Sequence, residues 1–362
     1  MTSNKLHKVF FTTLKNCIAA TLLFTLLLSS CSSPNQQIPD VSGIKITLQT
    51  YRFDKDLYAV DSNQIGSGLQ QLSVKYPDFL NFYLDTIQAF GIHGNYTDTS
   101  KAIQEGLKVF LTYKDYVELE DTILKHYPDT KDVDAELTQG FQFMKYYFPA
   151  YHVPRVMYVS LGLKNLPAFT IDTAILGISL DMFLGEQYPY YRSVGIFDYQ
   201  APHLRKSYIP VDAFRVVYTH DHPVVTDDRT LIDLMIQKGK EQYFLHKVLP
   251  NTPDSVLFGF SQPQVEWCNE NEALIYNFFI RNCLLYNKDA QSVMPYVNDG
   301  PFTPGIPASG KIKTTPGNLG TWLGYRIVCA YVSQHPKMTL AALCGNNIDP
   351  AKFLDEARYR PK

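Results

Sequence analysis

The sequence predicts an α+β fold, mainly helical with a small central sheet, on three observations. Apolar residues recur at helical spacing through the first third of the mature chain. Between residues 155 and 185 the pattern changes to short β-branched and apolar runs cut by turn signals. Helical spacing then resumes and continues to the end. Helix, sheet and helix in that order argue against a doubly wound sheet, in which strands and helices alternate. With 362 residues, 45% hydrophobic and 14% aromatic, the chain can bury a substantial core, which excludes wholesale disorder. Thirty-three Lys plus Arg against 35 Asp plus Glu leave a formal charge of -2, without the cationic excess that binding a nucleic acid demands.

Taken in order, Lys5, Lys8 and Lys15 precede an apolar run over residues 18–28, too short to span a bilayer and suited to the core of a signal peptide. Leu28-Ser29-Ser30-Cys31 follows and resembles a bacterial lipobox. Residues 1–30 are therefore expected to be a lipoprotein signal peptide, Cys31 the lipidation site, and residues 31–43 the acylated N-terminus and polar tether. Each buried methylene of the acyl chains contributes about 0.8 kcal/mol, so more than one chain holds the protein at the membrane surface. Membrane lipid is thus an expected partner, and no cofactor is expected, only the covalent lipid on Cys31. Ser32 after the cysteine favours an outer-membrane lipid-anchored protein on the periplasmic face.

The folded part is expected over residues 44–362, with a helical N-terminal part at about 44–153. Residues 44–51 alternate. Leu107, Phe110 and Leu111 share one helical face with Ile103, and Leu137, Phe141, Met144 and Phe148 share another. Strands are expected between Val156 and Gly185, then helices at about 210–220, 230–248, 262–286 and 317–333, with a terminal helix from Pro350. Cys268, Cys283, Cys329 and Cys344 permit three disulfide pairings or none, because each lies near an apolar helical pattern.

The chemistry-bearing residues form no familiar constellation. H-E-x-x-H, G-x-S-x-G, the P-loop and the dinucleotide fingerprint are all missing from the sequence. His220-Asp221-His222 offers two imidazoles and a carboxylate for a metal, yet at the end of a helix the same residues serve as caps. Glu118, Glu120 and Asp121, and also Glu270 and Glu272, read as solvated helical faces. Gly320 and Gly324, four apart in the last long helix, would let another element approach closely. The loops containing Tyr190 and Tyr191, and Asp299 and Phe302, are the expected partner-binding edge.

Several motifs together resemble the gliding motility lipoprotein GldB family: Arg52-Phe53-Asp54, the run from Gly239-Lys240 to Asp254-Ser255, Glu266-Trp267-Cys268, Asn298-Asp299-Gly300-Pro301-Phe302-Thr303, and Gly317 to Val328 with Trp322. The resemblance covers nearly the whole mature chain. It implies a non-catalytic envelope lipoprotein that supports gliding motility or an associated secretion machinery by binding other envelope proteins. Such proteins also resemble, more distantly, zinc proteases built from a small sheet, an H-E-x-x-H helix and a helix carrying a third ligand. With His220 at the second histidine, Val216 and Val217 replace the first histidine and the catalytic glutamate, and Lys238 takes the third ligand's place, where its ammonium would repel a dication. This register implies a zincin-like, degenerate metallopeptidase architecture over residues 154–362, with no catalytic residues and no metal. The alternative is a working envelope metallopeptidase using His220, His222 and a carboxylate such as Asp221 or Glu241.

Overall fold

The computed structural model describes residues 38–90 and 101–362; the signal segment and Cys31 lie outside them. Val41–Lys362 form one compact unit. The fold is α+β. Of the alternating segment 44–51, only its end joins a strand: Ile44, Ile46 and Leu48 pack half-buried against the core, and β1 is Thr50–Arg52. Helices α1 (Phe53–Tyr58), α2 (Ile65–Lys75), α3 (Lys101–Thr112), α4 (Lys114–His126) and α5 (Lys131–Tyr147) follow, with a wide π turn at Phe82–Ile87.

Strands β2 (Arg155–Val159), β3 (Ala168–Ile171) and β4 (Ile175–Ser179) complete a four-stranded mixed sheet in the order β1-β2-β4-β3. β1, β2 and β4 are parallel, with Thr50 opposite Val156 and Met157 opposite Gly177, and β3 pairs antiparallel to β4 at the edge. Side chains alternate across β2: Val156 and Tyr158 enter one core, and Met157 and Val159 enter the other. The second core is aromatic, with Phe53 edge-on to Tyr76 and Phe79 at 5.0 and 4.9 Å.

The larger core holds the C-terminal helices: α6 (Ile209–Asp221), α7 (Leu231–Val248), α8 (Asp254–Phe258), α9 (Gln262–Glu270), α10 (Glu272–Arg281), α11 (Ala290–Val297), α12 (Leu319–Gln334), α13 (Leu340–Cys344) and α14 (Pro350–Ala357). Local chemistry starts several of them. The Thr230 hydroxyl accepts from Asp233 N, and Ser261 forms a capping box with Gln264. The single helix expected over 262–286 is broken at Asn271, whose side-chain amide donates to Trp267 O at 2.8 Å. That break turns Glu272 into the core, where Arg326 of α12 holds both its oxygens at 3.0 and 2.9 Å. Glu272 therefore does not lie on a solvated face. Cys268, Cys283, Cys329 and Cys344 are all free thiols, the first and last buried.

α7 and α12 meet backbone to backbone. A β-carbon at Gly324 would lie 1.8 Å from Met235 O, and one at Gly239 would lie 2.3 Å from the Gly324 carbonyl carbon. Gly320 serves α11 in the same way, with Tyr296 O at 2.6 Å from such a carbon. The close-approach expectation for the two glycines is met.

Glu120 is also misplaced by the solvated-face expectation. It is 2% exposed, and neither carboxylate oxygen has a hydrogen-bond partner. Asp181 is fully buried; one oxygen accepts from Leu161 N and Leu163 N, and the other is unpartnered. Burial, then the nearby Asp54 carboxylate, pushes the Glu120 carboxyl up to about 8, and burial pushes Asp181 up to about 6.

Two predictions follow from these contacts. Gly324→Ala must separate two backbones, and should destabilise the protein by about 3 kcal/mol, read as a lower urea midpoint at unchanged m-value. For Glu120 the native state keeps a proton that the unfolded chain releases above its ordinary value of 4.5. Stability therefore falls as pH rises from about 5 through about 8. The Tm of wild type should drop across this window. Glu120→Gln should drop less and melt at least about 3 °C above wild type at pH 9; parallel Tm curves for the two proteins would contradict the assignment.

Candidate functional site

The first two turns of α6 and the middle of α7 face each other across a cleft of about 280 Å³. α6 supplies Asp212 and Arg215, and α7 supplies Lys238, Glu241 and Gln242. Asn165 and Pro167, just before the edge strand β3, form one wall, and His203 and Tyr208 form another. Asn298 and Asp299 after α11, with Asn318 at the start of α12, close the far side. Asn165 and Asn318 both adopt positive φ, 52° and 47°, a conformation asparagine tolerates better than most residues.

The charges are arranged as a ladder. Arg215 donates from Nε to Glu241 Oε1 at 3.1 Å and from Nη1 to Asp212 Oδ1 at 2.9 Å. Lys238 Nζ reaches the other Glu241 oxygen at 3.0 Å. Glu241 is 3% exposed, and the two cations together engage both of its oxygens. Burial works against the Arg215 charge, but the Asp212 and Glu241 carboxylates raise its pKa above the usual value. Burial raises the Asp212 and Asp299 carboxyls above the ordinary aspartate range. His203 Nε2 lies 2.8 Å from Gly259 O. A carbonyl can only accept, so that nitrogen carries the hydrogen and Nδ1 faces Asp299 Oδ2 at 3.8 Å.

A shallow apolar depression lies beside the cleft and shares Ile196 with it, lined by Phe197, Asp198, Tyr199 and Pro301. Phe197 is 62% exposed and stacks on Tyr199 with ring planes 9° apart. Phe302, next in the chain to Pro301, is also exposed.

The expected residues divide sharply. Lys238 and Asp299 line the cleft, and Phe302 and Tyr190 are exposed. Tyr191 is 1% exposed, its hydroxyl donating to Asp181 O and accepting from Leu184 N. It is a core residue and cannot meet a partner. The expected metal-site register is not assembled either. Val217 is buried and Val216 half-buried against the main core, whereas His220 sits exposed at the end of α6, its Nδ1 3.4 Å from Thr170 Oγ1. It borders a separate small crevice with Tyr151 and Asp221, not the cleft that holds Lys238. His222 packs on the Tyr218 ring at 4.9 Å, and burial lowers its pKa. Among the described residues no three His, Cys, Asp or Glu side chains come together as a metal set, so His220 and His222 lack the donors a zinc centre requires.

Asp212, Arg215, Gln242, His203 and Asn318 were not singled out in the sequence. The available signal was the i, i+3 pairing of opposite charges, Asp212 with Arg215 and Lys238 with Glu241, inside helices that are otherwise largely apolar.

Neither the curated proteins nor the solved structures contain a match to this chain. A family model described as gliding motility protein GldB matches residues 34–361, which takes in both cores, the cleft and its apolar rim. The chain belongs to the gliding motility protein GldB family.

Proposed function

We propose that this protein is an acylated lipoprotein of the cell envelope, anchored through Cys31 to the periplasmic face of the outer membrane, that supports gliding motility by binding a neighbouring protein without catalysing a reaction. Family membership supports the motility role, and the lipobox motif supports the anchor. No described helix is long and apolar enough to cross a membrane. The observation that carries the non-catalytic reading is the ladder itself: Glu241, the most buried charge in the cleft, is held through both oxygens by Arg215 and Lys238. Each oxygen of this carboxylate already accepts from a cation, which supports a structural role for it over that of a general base. An antiparallel edge strand followed by two helices that flank a cleft is what supports reading the architecture as zincin-like.

Two outcomes test this reading. Deleting the gene in its gliding host should stop surface movement, and wild type in trans should restore it. Cys31→Ala should fail to restore it and should leave the membrane fraction; unimpaired gliding of the deletion strain would overturn the proposal. Glu241→Gln leaves Lys238 without its carboxylate and Arg215 with one, and should destabilise the protein by about 2–3 kcal/mol in urea unfolding. A neutral effect would show that the ladder does not hold the cleft together.

A further inference from the structure

The domain has two distinct ends, and its chain enters at one of them. β4 runs from Ile175, which borders the small crevice with Tyr151 and His220, to Ser179, whose N–H donates to the O of Pro167 in the cleft wall. α6 starts with Asp212 in the cleft and ends with His220 and Asp221 at the crevice. Strand and helix thus both place cleft and crevice at opposite ends. Residues 41–49 belong to the crevice end. Gln49 O accepts from Val156 N at the start of β2, where Arg155 lies opposite Ile175. Ile44 N donates to Val41 O, and Ile44 O accepts from Gln142, five residues, or about 8 Å, before the C-terminal end of α5. From there the chain passes through Tyr151, on the crevice, into β2.

We propose that the crevice end lies on the headgroups of the lipid bilayer that holds Cys31, with Tyr146 among them, and that the cleft and its aromatic rim point away from the membrane. Chain length decides the orientation. Ten residues lead from Cys31 to Val41, and by whatever course they span at most about 33–36 Å. A compact domain as long as Val41–Lys362 has a radius of gyration of about 20 Å and is therefore roughly 50 Å across. With Val41 close to one end, the other end lies about 40 Å away, beyond that reach. Phe197 and the rim are thus kept off the bilayer while the acyl chains are in it. Tyr146, in the last turn of α5, is 49% exposed, with its ring edge-on to Tyr147 at 5.0 Å. An exposed tyrosine, apolar in its ring and polar at its hydroxyl, suits the headgroup level. The proposal rests on the reading of this protein as a lipoprotein anchored through Cys31.

The test uses the full acylated lipoprotein in phosphatidylcholine vesicles, a fraction of whose headgroups carry a nitroxide quencher. Trp267 and Trp322 are buried, so the unaltered protein supplies a constant background. A new tryptophan is introduced at an exposed position of each end, as Tyr146→Trp or Phe197→Trp. The fluorescence of Tyr146→Trp should be quenched at least about threefold more strongly than that of Phe197→Trp. Equal quenching of the two, stronger quenching of Phe197→Trp, or no quenching of either would overturn the proposal. Flotation of the same vesicles separates the two readings. If the protein floats with the lipid and Tyr146→Trp shows no preference, only this inference falls; if the protein does not float, the anchor through Cys31 falls and takes this inference with it.

Discussion

The contact between the backbones of α7 and α12 is the constraint on which the rest of the larger core depends. Helices that approach this closely cannot rotate about their axes without collision, because the groups in contact are carbonyls and glycine carbons, which have no rotamers to adjust. The rotation of α7 is therefore set at Gly239. It follows that Lys238, Glu241 and Gln242 face the cleft while Lys240 points elsewhere, toward Asn346 O and the Phe353 ring. Four polar or charged side chains within five positions, Lys238 and Lys240 to Gln242, are sorted to two destinations around one glycine. The helix is buried on nearly every side, so little solvent-facing surface remains to define its orientation otherwise.

Buried charge is handled in two ways in this fold. Glu272, Glu241 and Asp54 are each matched by an arginine, and in Arg52 and Arg326 the fork engages both oxygens of its partner. Tyr359 adds a donor to Glu272 at 2.6 Å. These pairs tie separate elements together: α10 to α12 and the C-terminus, α6 to α7. Glu120 and Asp181 have no cation in contact with their open oxygens, so burial outweighs the Arg52 charge near Glu120 and the backbone N–H donors at Asp181, and favours the protonated acid. The difference lies in whether an arginine fork touches the carboxyl group.

Fold class and most long helices were legible because apolar spacing records burial, and burial is a one-dimensional property of a helix face. Leu137, Phe141 and Met144 are buried as their period requires. The glycine pair was legible for a similar reason, since only a close approach makes a missing β-carbon useful at that spacing. The exceptions are polar residues whose partners lie far off in sequence. Glu272 and Arg326 are 54 positions apart, and no local pattern distinguishes an inward glutamate from a solvated one. Tyr191 and Tyr190 are adjacent, yet the 3-10 turn that follows sends one ring into the core and the other outward. A histidine's place in a motif does not record which side of its helix it occupies, and His220 borders the small crevice beside Thr170, apart from the cleft that holds Lys238. Asp212 and Arg215, one to two turns earlier, are the residues on the cleft side.

The cleft's rigidity bears on what it can bind. Arg215 is held by two carboxylates on two helices, so the wall is already ordered and a ligand need not immobilise it. Affinity then depends on what the ligand brings. The exposed Phe197 and Phe302 contribute apolar area that is indifferent to charge. Rim and cavity therefore present different chemistry, apolar area on one and fixed, paired charge in the other.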